Sequence, residues 1–394
     1  MKVVSFTTGP TSTSAEIYLN VSMPGGAPPV YADDFGLQMN TEANSGQAYV
    51  PAAAPSSWIN PLGGSWGTAA NWSADAIPPG TGATADFSTL DITSDVIVSL
   101  NSARTIGNLV FSDANPGTAA SWVLDKGANP ANTLTLASGV TPAITVGDLG
   151  TGRSATISAI IAGTSGLNKV GNGTLVLTNA NTYTGATMVG GGTLDIKAQA
   201  AASTYTIASG ATLVFSSGSV VNGKTMTFNG TGTLKLANNV TFGGSGITDT
   251  VALGVGGLVW VTNNATVTGS SYNLGKWNSN LASLQVDSGS TINFVEAGAN
   301  GSNVAQFDAL NGGGTVTGGF SASPNNTVLK LGANNGSGSF SGVIANGNAF
   351  LTLTKVGTGT QTLSGASTFT GDLTVSGGTL DLTGRGAGLS LIHI

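Results

Sequence analysis

KVGNGTLVLTNANTYTGATMVGGGTLDI (residues 169–196) returns as KVGTGTQTLSGASTFTGDLTVSGGTLDL (residues 355–382), with 16 of 28 positions identical and no gap. Two such copies at an offset of 186 residues, with weaker echoes between them, are the mark of a solenoid in which each repeat stacks on its neighbours. The short runs inside and around the copies share one form: 173–177 (GTLVL), 192–196 (GTLDI), 232–236 (GTLKL) and 378–382 (GTLDL), with looser versions at 210–215 and 289–294. Each predicts a strand of five or six residues with period two, entered from a glycine turn. No stretch carries apolar residues at helical spacing over three turns, so helix is expected to be almost absent. A sandwich or propeller would also use such strands, but the long tandem repeat favours an all-β fold of the right-handed parallel β-helix (β-solenoid) type. Roughly ten to fifteen rungs at about 4.8 Å would make a rod on the order of 50 to 70 Å.

Composition explains how such a rod stays in water. The 394 residues include 60 glycines, and charged residues make up only 8 % against a usual value of about 25 %. Thr, Ser and Asn supply polarity instead, alternating along strands with Val, Leu, Ile and Phe so that one side is dry and the other wet. A net charge of −6, with twelve scattered Lys and Arg, argues against nucleic acid as a partner. No apolar run reaches the eighteen or so residues of a spanning helix, and 6 % aromatics hardly supply the girdles of a transmembrane barrel, so no membrane insertion is expected of this segment. The absence of cysteine removes disulfides and thiolate chemistry.

The chain divides by texture. Residues 1–57, with the Pro- and Ala-rich stretches PGGAPPVYADDF and VPAAAPSSW, read as a poorly ordered linker or the tail of a preceding module. Residues 58–150 read as an N-terminal cap and first rungs, with Trp66, Trp72 and Phe87 set among Gly, Pro and Asn. Residues 151–388 read as the β-helix proper, with repeat copies at 166–197 and 352–383. Residues 1–19 show no export signal, which makes Met1 read as an internal methionine of a longer frame. Residues 389–394 (LSLIHI) read as a translated sequencing-adapter scar, which would exclude His393, the single histidine.

The two copies resemble the autotransporter-associated β-strand repeat, also called the passenger-associated transport repeat. In the first copy Lys169-Val170-Gly171, Gly173-Thr174-Leu175, Thr182-Tyr183-Thr184-Gly185 and Gly192-Thr193-Leu194 carry the likeness. In the second, Lys355-Val356-Gly357, Gly359-Thr360, Thr368-Phe369-Thr370-Gly371 and Gly378-Thr379-Leu380 carry it; Gln361 stands where the family has Leu, which predicts a frayed rung. The resemblance implies a parallel β-helix in a passenger of a secreted or surface-displayed protein of Gram-negative bacteria, with repeats that help folding and export. It implies an extracellular or outer-membrane-associated location and an adhesin-like stalk.

Several strings imitate chemistry. Residues 218–225 (GSVVNGKT) spell a phosphate loop, but Lys224 opens into TMTFNGTGTLKL, an alternating strand where the mechanism requires a helix N-terminus. Residues 243–249 (GGSGITD) miss the calcium-roll spacing by one and occur once. Asp195 and Asp381 recur with the repeat, which marks them as rung positions, and Asp33 and Asp34 lie in the linker. Catalytic and metal sites and cofactors are therefore all expected to be none. Trp66, Trp72, Trp122, Trp260 and Trp277 could stack on sugar rings if exposed in a row, Trp66 and Trp72 first among them, although a tryptophan in such a chain more often plugs an end or a wide corner of the core. The residues and the resemblance together point to a structural stalk with a surface polysaccharide or other cell-surface polymer as partner. Its rival is a glycan-binding or polysaccharide-degrading β-helix, which Asp converging with Arg104 or Arg153 in a lateral groove would favour.

Overall fold

In the computed structural model, residues 56–118, 120–199, 201–216, 224–242, 249–269, 276–294, 304–318, 327–347 and 350–382 are described. Their strands are short because each spans one side of a coil and then turns. Thr174–Asn181, Thr193–Gln199, Thr212–Phe215, Thr233–Leu236, Thr291–Phe294 and Thr379–Asp381 fall on the glycine-led runs. Alternation does the rest: in Thr233–Leu236 the two Leu are buried while Thr233 and Lys235 face outward.

Stacking makes every pairing between named strands parallel, as the solenoid reading requires. One sheet of 14 strands runs from Gly64–Ser65 to Thr379–Asp381. At about 4.8 Å per strand that sheet is about 62 Å long. A nine-stranded sheet starts at Ser56–Ser57 and ends at Thr250–Leu253; Lys276, bridged to Thr250, leads on toward a four-stranded sheet whose Gln306 N–H donates to the Trp277 carbonyl. Sheets of three and five strands form the remaining side. Helix is limited to three 3-10 turns of three residues among the described residues.

The ladder begins two residues before the sequence-read cap, because Ser56 and Ser57 already pair with Ala85 and Asp86. Residues 1–55 of the expected linker, Asp33 and Asp34 among them, lie outside the described residues, as do 218–223, 243–248 and 389–394.

One continuous core fills the coil. Its first layers are aromatic: Trp72 meets Trp58 edge-on at 5.1 Å and Trp66 at 4.9 Å, and Phe87 stacks on Phe111 at 5.0 Å. Trp66 is 1 % exposed and Trp72 0 %, which corrects their reading as glycan contacts. Among the described residues no earlier rung covers the apolar interior of this coil, and the rings fill it. Trp72 Nε1–H donates to the Trp66 carbonyl at 2.7 Å, so the buried indole leaves no orphaned donor.

The expected frayed rung is also corrected. Gln361 is 1 % exposed and keeps its register between Gly338 and Leu380. Its amide reaches past Gly338 to the strand beyond, where the Leu310 N–H donates to Gln361 Oε1 at 3.0 Å and Gln361 Nε2 donates to the Leu310 carbonyl at 2.8 Å. Between the Leu310 and Gly338 strands only Gly312 and Phe340 pair, so the side-chain amide substitutes for missing backbone partners. Gly338 permits this, since a β-carbon there would lie 2.5 Å from the Leu310 oxygen and 2.8 Å from Gln361 Oε1.

Candidate functional site

The repeat copies bring their shared residues to one kind of corner. Leu167, Lys169 and Val189 point inward, and so do Leu351, Leu353 and Lys355, by strand parity. Both lysines are therefore buried at 0 % exposure, and each ammonium is received by backbone oxygens. Lys169 Nζ donates to the carbonyls of Val170 at 3.0 Å, Gly171 at 2.9 Å and Gly191 at 3.0 Å. Lys355 Nζ repeats the pattern on Val356 at 2.6 Å, Gly357 at 3.3 Å and Gly377 at 3.3 Å. Burial pushes the Lys169 amine down to about 8. Burial lowers Lys355 too, against the opposing pull of Asp308.

Gly171 and Gly357 turn these corners at φ of 77° and 65°, a region closed to most side chains. Gly173, Gly185, Gly192, Gly359, Gly371 and Gly378 pass so close to the preceding coil that a β-carbon would meet its backbone. Thr182 and Thr368 face solvent, while their N–H groups donate to the carbonyls of Ile161 and Ile344. Tyr183 and Phe369 are both buried; the Tyr183 hydroxyl pairs with Thr187 Oγ1 at 2.8 Å, and burial drives its pKa up to about 12. Asn181 and Ser367 occupy equivalent inward positions and accept the N–H of Ile161 and Ile344 at 2.9 and 3.1 Å. Leu194 is fully buried and Leu380 partly so, on the last described rung.

Among the described residues, the carboxylates and cations on the outward faces lie apart or are engaged by their neighbours. Asp195 and Asp381 project from strands eight places apart in the long sheet, about 38 Å at the usual spacing, so they cannot act as a pair. Asp195 instead accepts the Ser216 hydroxyl at 2.7 Å. Arg104 bonds Asn101, and Arg153 reaches Asp95 at 3.8 Å. A shallow groove brings Arg153 together with Asp148, Asn172 and Thr174, the Asp-with-Arg convergence that the glycan-binding rival calls for; Asp148 is the one carboxylate on its wall, whereas hydrolysis of a glycoside uses two. Lys224 leads into the strand Met226–Gly230 rather than a helix, which removes the structural basis of a phosphate loop. Asp249 is fully buried and accepts the Met226 N–H at 2.7 Å, a backbone-patching role. No group of three or more metal-ligating side chains occurs among the described residues.

Of the tryptophans only Trp260 reaches the surface of the described structure, half-buried, while Trp122 and Trp277 lie inside. Lys235 Nζ sits 4.2 Å from its ring centre and its Nε1–H donates to Asp287 at 2.8 Å. Partial burial pushes the Asp287 carboxyl up, but hydrogen bonds from Gln285, Thr262 and Trp260 and the Lys235 charge outweigh that and hold it below its usual value. The ring is spent on its own neighbours and is not an open platform for a sugar.

Residues 167–196 and 353–382 match the model of the passenger-associated-transport-repeat family. The chain carries two copies of that repeat. A stretch of 165 residues, 41 % of the chain, is 36 % identical to "Adhesin BmaC autotransporter" of Brucella suis biovar 1 (strain 1330). The chain spans only 4 % of that relative's length. No solved structure matches the chain at a significant level.

Two features escaped sequence reading. The lysines were visible as motif residues without a role, although LTLTK places Lys355 on the same side as two leucines, and that parity signals burial. The Gln361 bridge gave no such signal, because its partner lies 51 residues away.

Proposed function

We propose that this chain is a structural passenger segment of a secreted or surface-displayed bacterial protein: a stalk, adhesin-like in role and without enzymatic activity. The observation that carries the reading is that both passenger repeats are built in as coils of one parallel ladder, which extends a surface along its axis. The likeness to an autotransporter adhesin supports it. A Gram-negative outer-membrane setting fits the repeat family, and a cell-surface polymer, such as a polysaccharide, is the partner its Thr-, Ser- and Asn-rich exterior suits. The groove beside Asp148 and Arg153 is the place such a polymer would first be sought.

Fused ahead of an outer-membrane translocator barrel, the chain is expected to appear on the cell surface as a protease-resistant unit. Deleting 167–196 and 353–382 should leave it degraded or retained. Equal display and resistance without the repeats would refute the passenger role. Incubation of the purified chain with neutral and acidic polysaccharides should release no reducing ends; steady release would restore the enzyme reading.

A further inference from the structure

A lysine ammonium carries three N–H donors, and at each repeat corner three carbonyl oxygens stand ready for it, one per donor. Neither lysine forms an ion pair among the described residues. Two of the three oxygens belong to the lysine's own corner and the third to the corner of the following coil, 22 residues on in both copies. That third oxygen lies in a bend of the later coil, just past the strand that pairs with the lysine's own, so it meets the ammonium only when the two coils are in this register.

The glycines of the motif serve the same geometry. Gly171 and Gly357 turn their carbonyls toward the lysine at positive φ. Gly191 and Gly377 let the next corner lie close: a β-carbon there would stand 3.2 Å from the Gly171 oxygen and 3.0 Å from the Gly357 oxygen.

We propose that each passenger repeat is a cation site, a nest of three corner carbonyls that takes a primary ammonium, whose resident ligand is the repeat's own lysine and whose filling locks one coil onto the next. The site cannot be completed until the later coil has been laid in register. A missing or slipped coil leaves a charge in the core with too few partners, among the costliest defects a dry interior can hold. The same arrangement in two copies 186 residues apart makes it a property of the motif rather than of one corner. This assignment is independent of what the exterior binds.

The test uses the full chain and the variants Lys169→Met, Lys355→Met, Lys169→Ala and Lys355→Ala, read by urea unfolding. Methionine fills the space without donors, so both Met variants should unfold at clearly lower urea than the parent. Alanine empties the nest. Ammonium or methylammonium chloride should then raise the midpoint of the alanine variants toward the parent, while tetramethylammonium chloride at equal ionic strength, lacking N–H groups, should not. Should the alanine variants fail to fold, recovery on refolding in ammonium but not tetramethylammonium supports the site, and failure in both salts overturns it. Parental midpoints in both Met variants, or equal rescue by the two salts, would also overturn it.

Discussion

At the scale of single residues, polar side chains inside the coil do the work of absent backbone partners. Gln361 is the clearest case, since Leu, the residue the family has there, would fill the space but leave the Leu310 N–H and carbonyl unpaired in the core. Gln361→Leu is therefore expected to destabilise by about 1–3 kcal/mol, the usual cost of stranding buried polar groups, measured by urea unfolding. Titration provides a second expectation. Lys169 has a folded pKa of about 8, below its ordinary 10.5, so between those values the unfolded chain binds more protons and stability rises with pH. At about 1.36 kcal/mol per unit, the gain is at most about 3.4 kcal/mol, and it should vanish in Lys169→Met. Tyr183 acts oppositely: raised from 10.0 to about 12, it supports the fold fully below pH 10 and progressively less above it. A denaturant midpoint that climbs from pH 8 and turns over above pH 10 is the expected profile; a flat profile would contradict both assignments.

At the scale of elements, the aromatic cap shows how an end differs from a rung. An inner strand has neighbours on both sides, as Leu234 has Leu213 and Val259, whereas the first described coil has one among the described residues. Trp58, Trp66 and Trp72 fill the interior of this first described coil, and each tryptophan removes roughly 150–250 Å² from water. Trp72→Ala, at the centre of the ring cluster, is expected to cost about 3–5 kcal/mol and to expose the first coils to protease before the rest. Thermal unfolding with mass mapping of early cleavage would check both. The Trp, Gly and Asn texture of residues 58–87 reads as a capping turn region. That its rings face inward was settled by packing, because three indoles around Phe87 satisfy one another better than water does.

At the scale of the molecule, each coil contacts its neighbours and little else, so stability is shared along the axis. A break in the middle should therefore divide the rod rather than dissolve it. Val214 projects outward from the long sheet and pairs with Asp195 and Lys235. Val214→Pro removes a ladder hydrogen bond and strains the strand, and limited proteolysis should then cut near residue 214 and leave resistant pieces on either side. Degradation of the whole chain in one step would show that cooperativity extends across all coils. By itself the sequence determined the parallel coil, the strand positions and the inward parity, because these are written in local period-two alternation, glycine corners and a repeat at fixed offset. The ammonium nests, the Gln361 bridge, the buried tryptophans and the dispersal of the aspartates were decided by the tertiary structure, since each depends on which residues of different coils come to lie over one another. That alignment follows from coil lengths summed along the chain, and no local pattern records the sum.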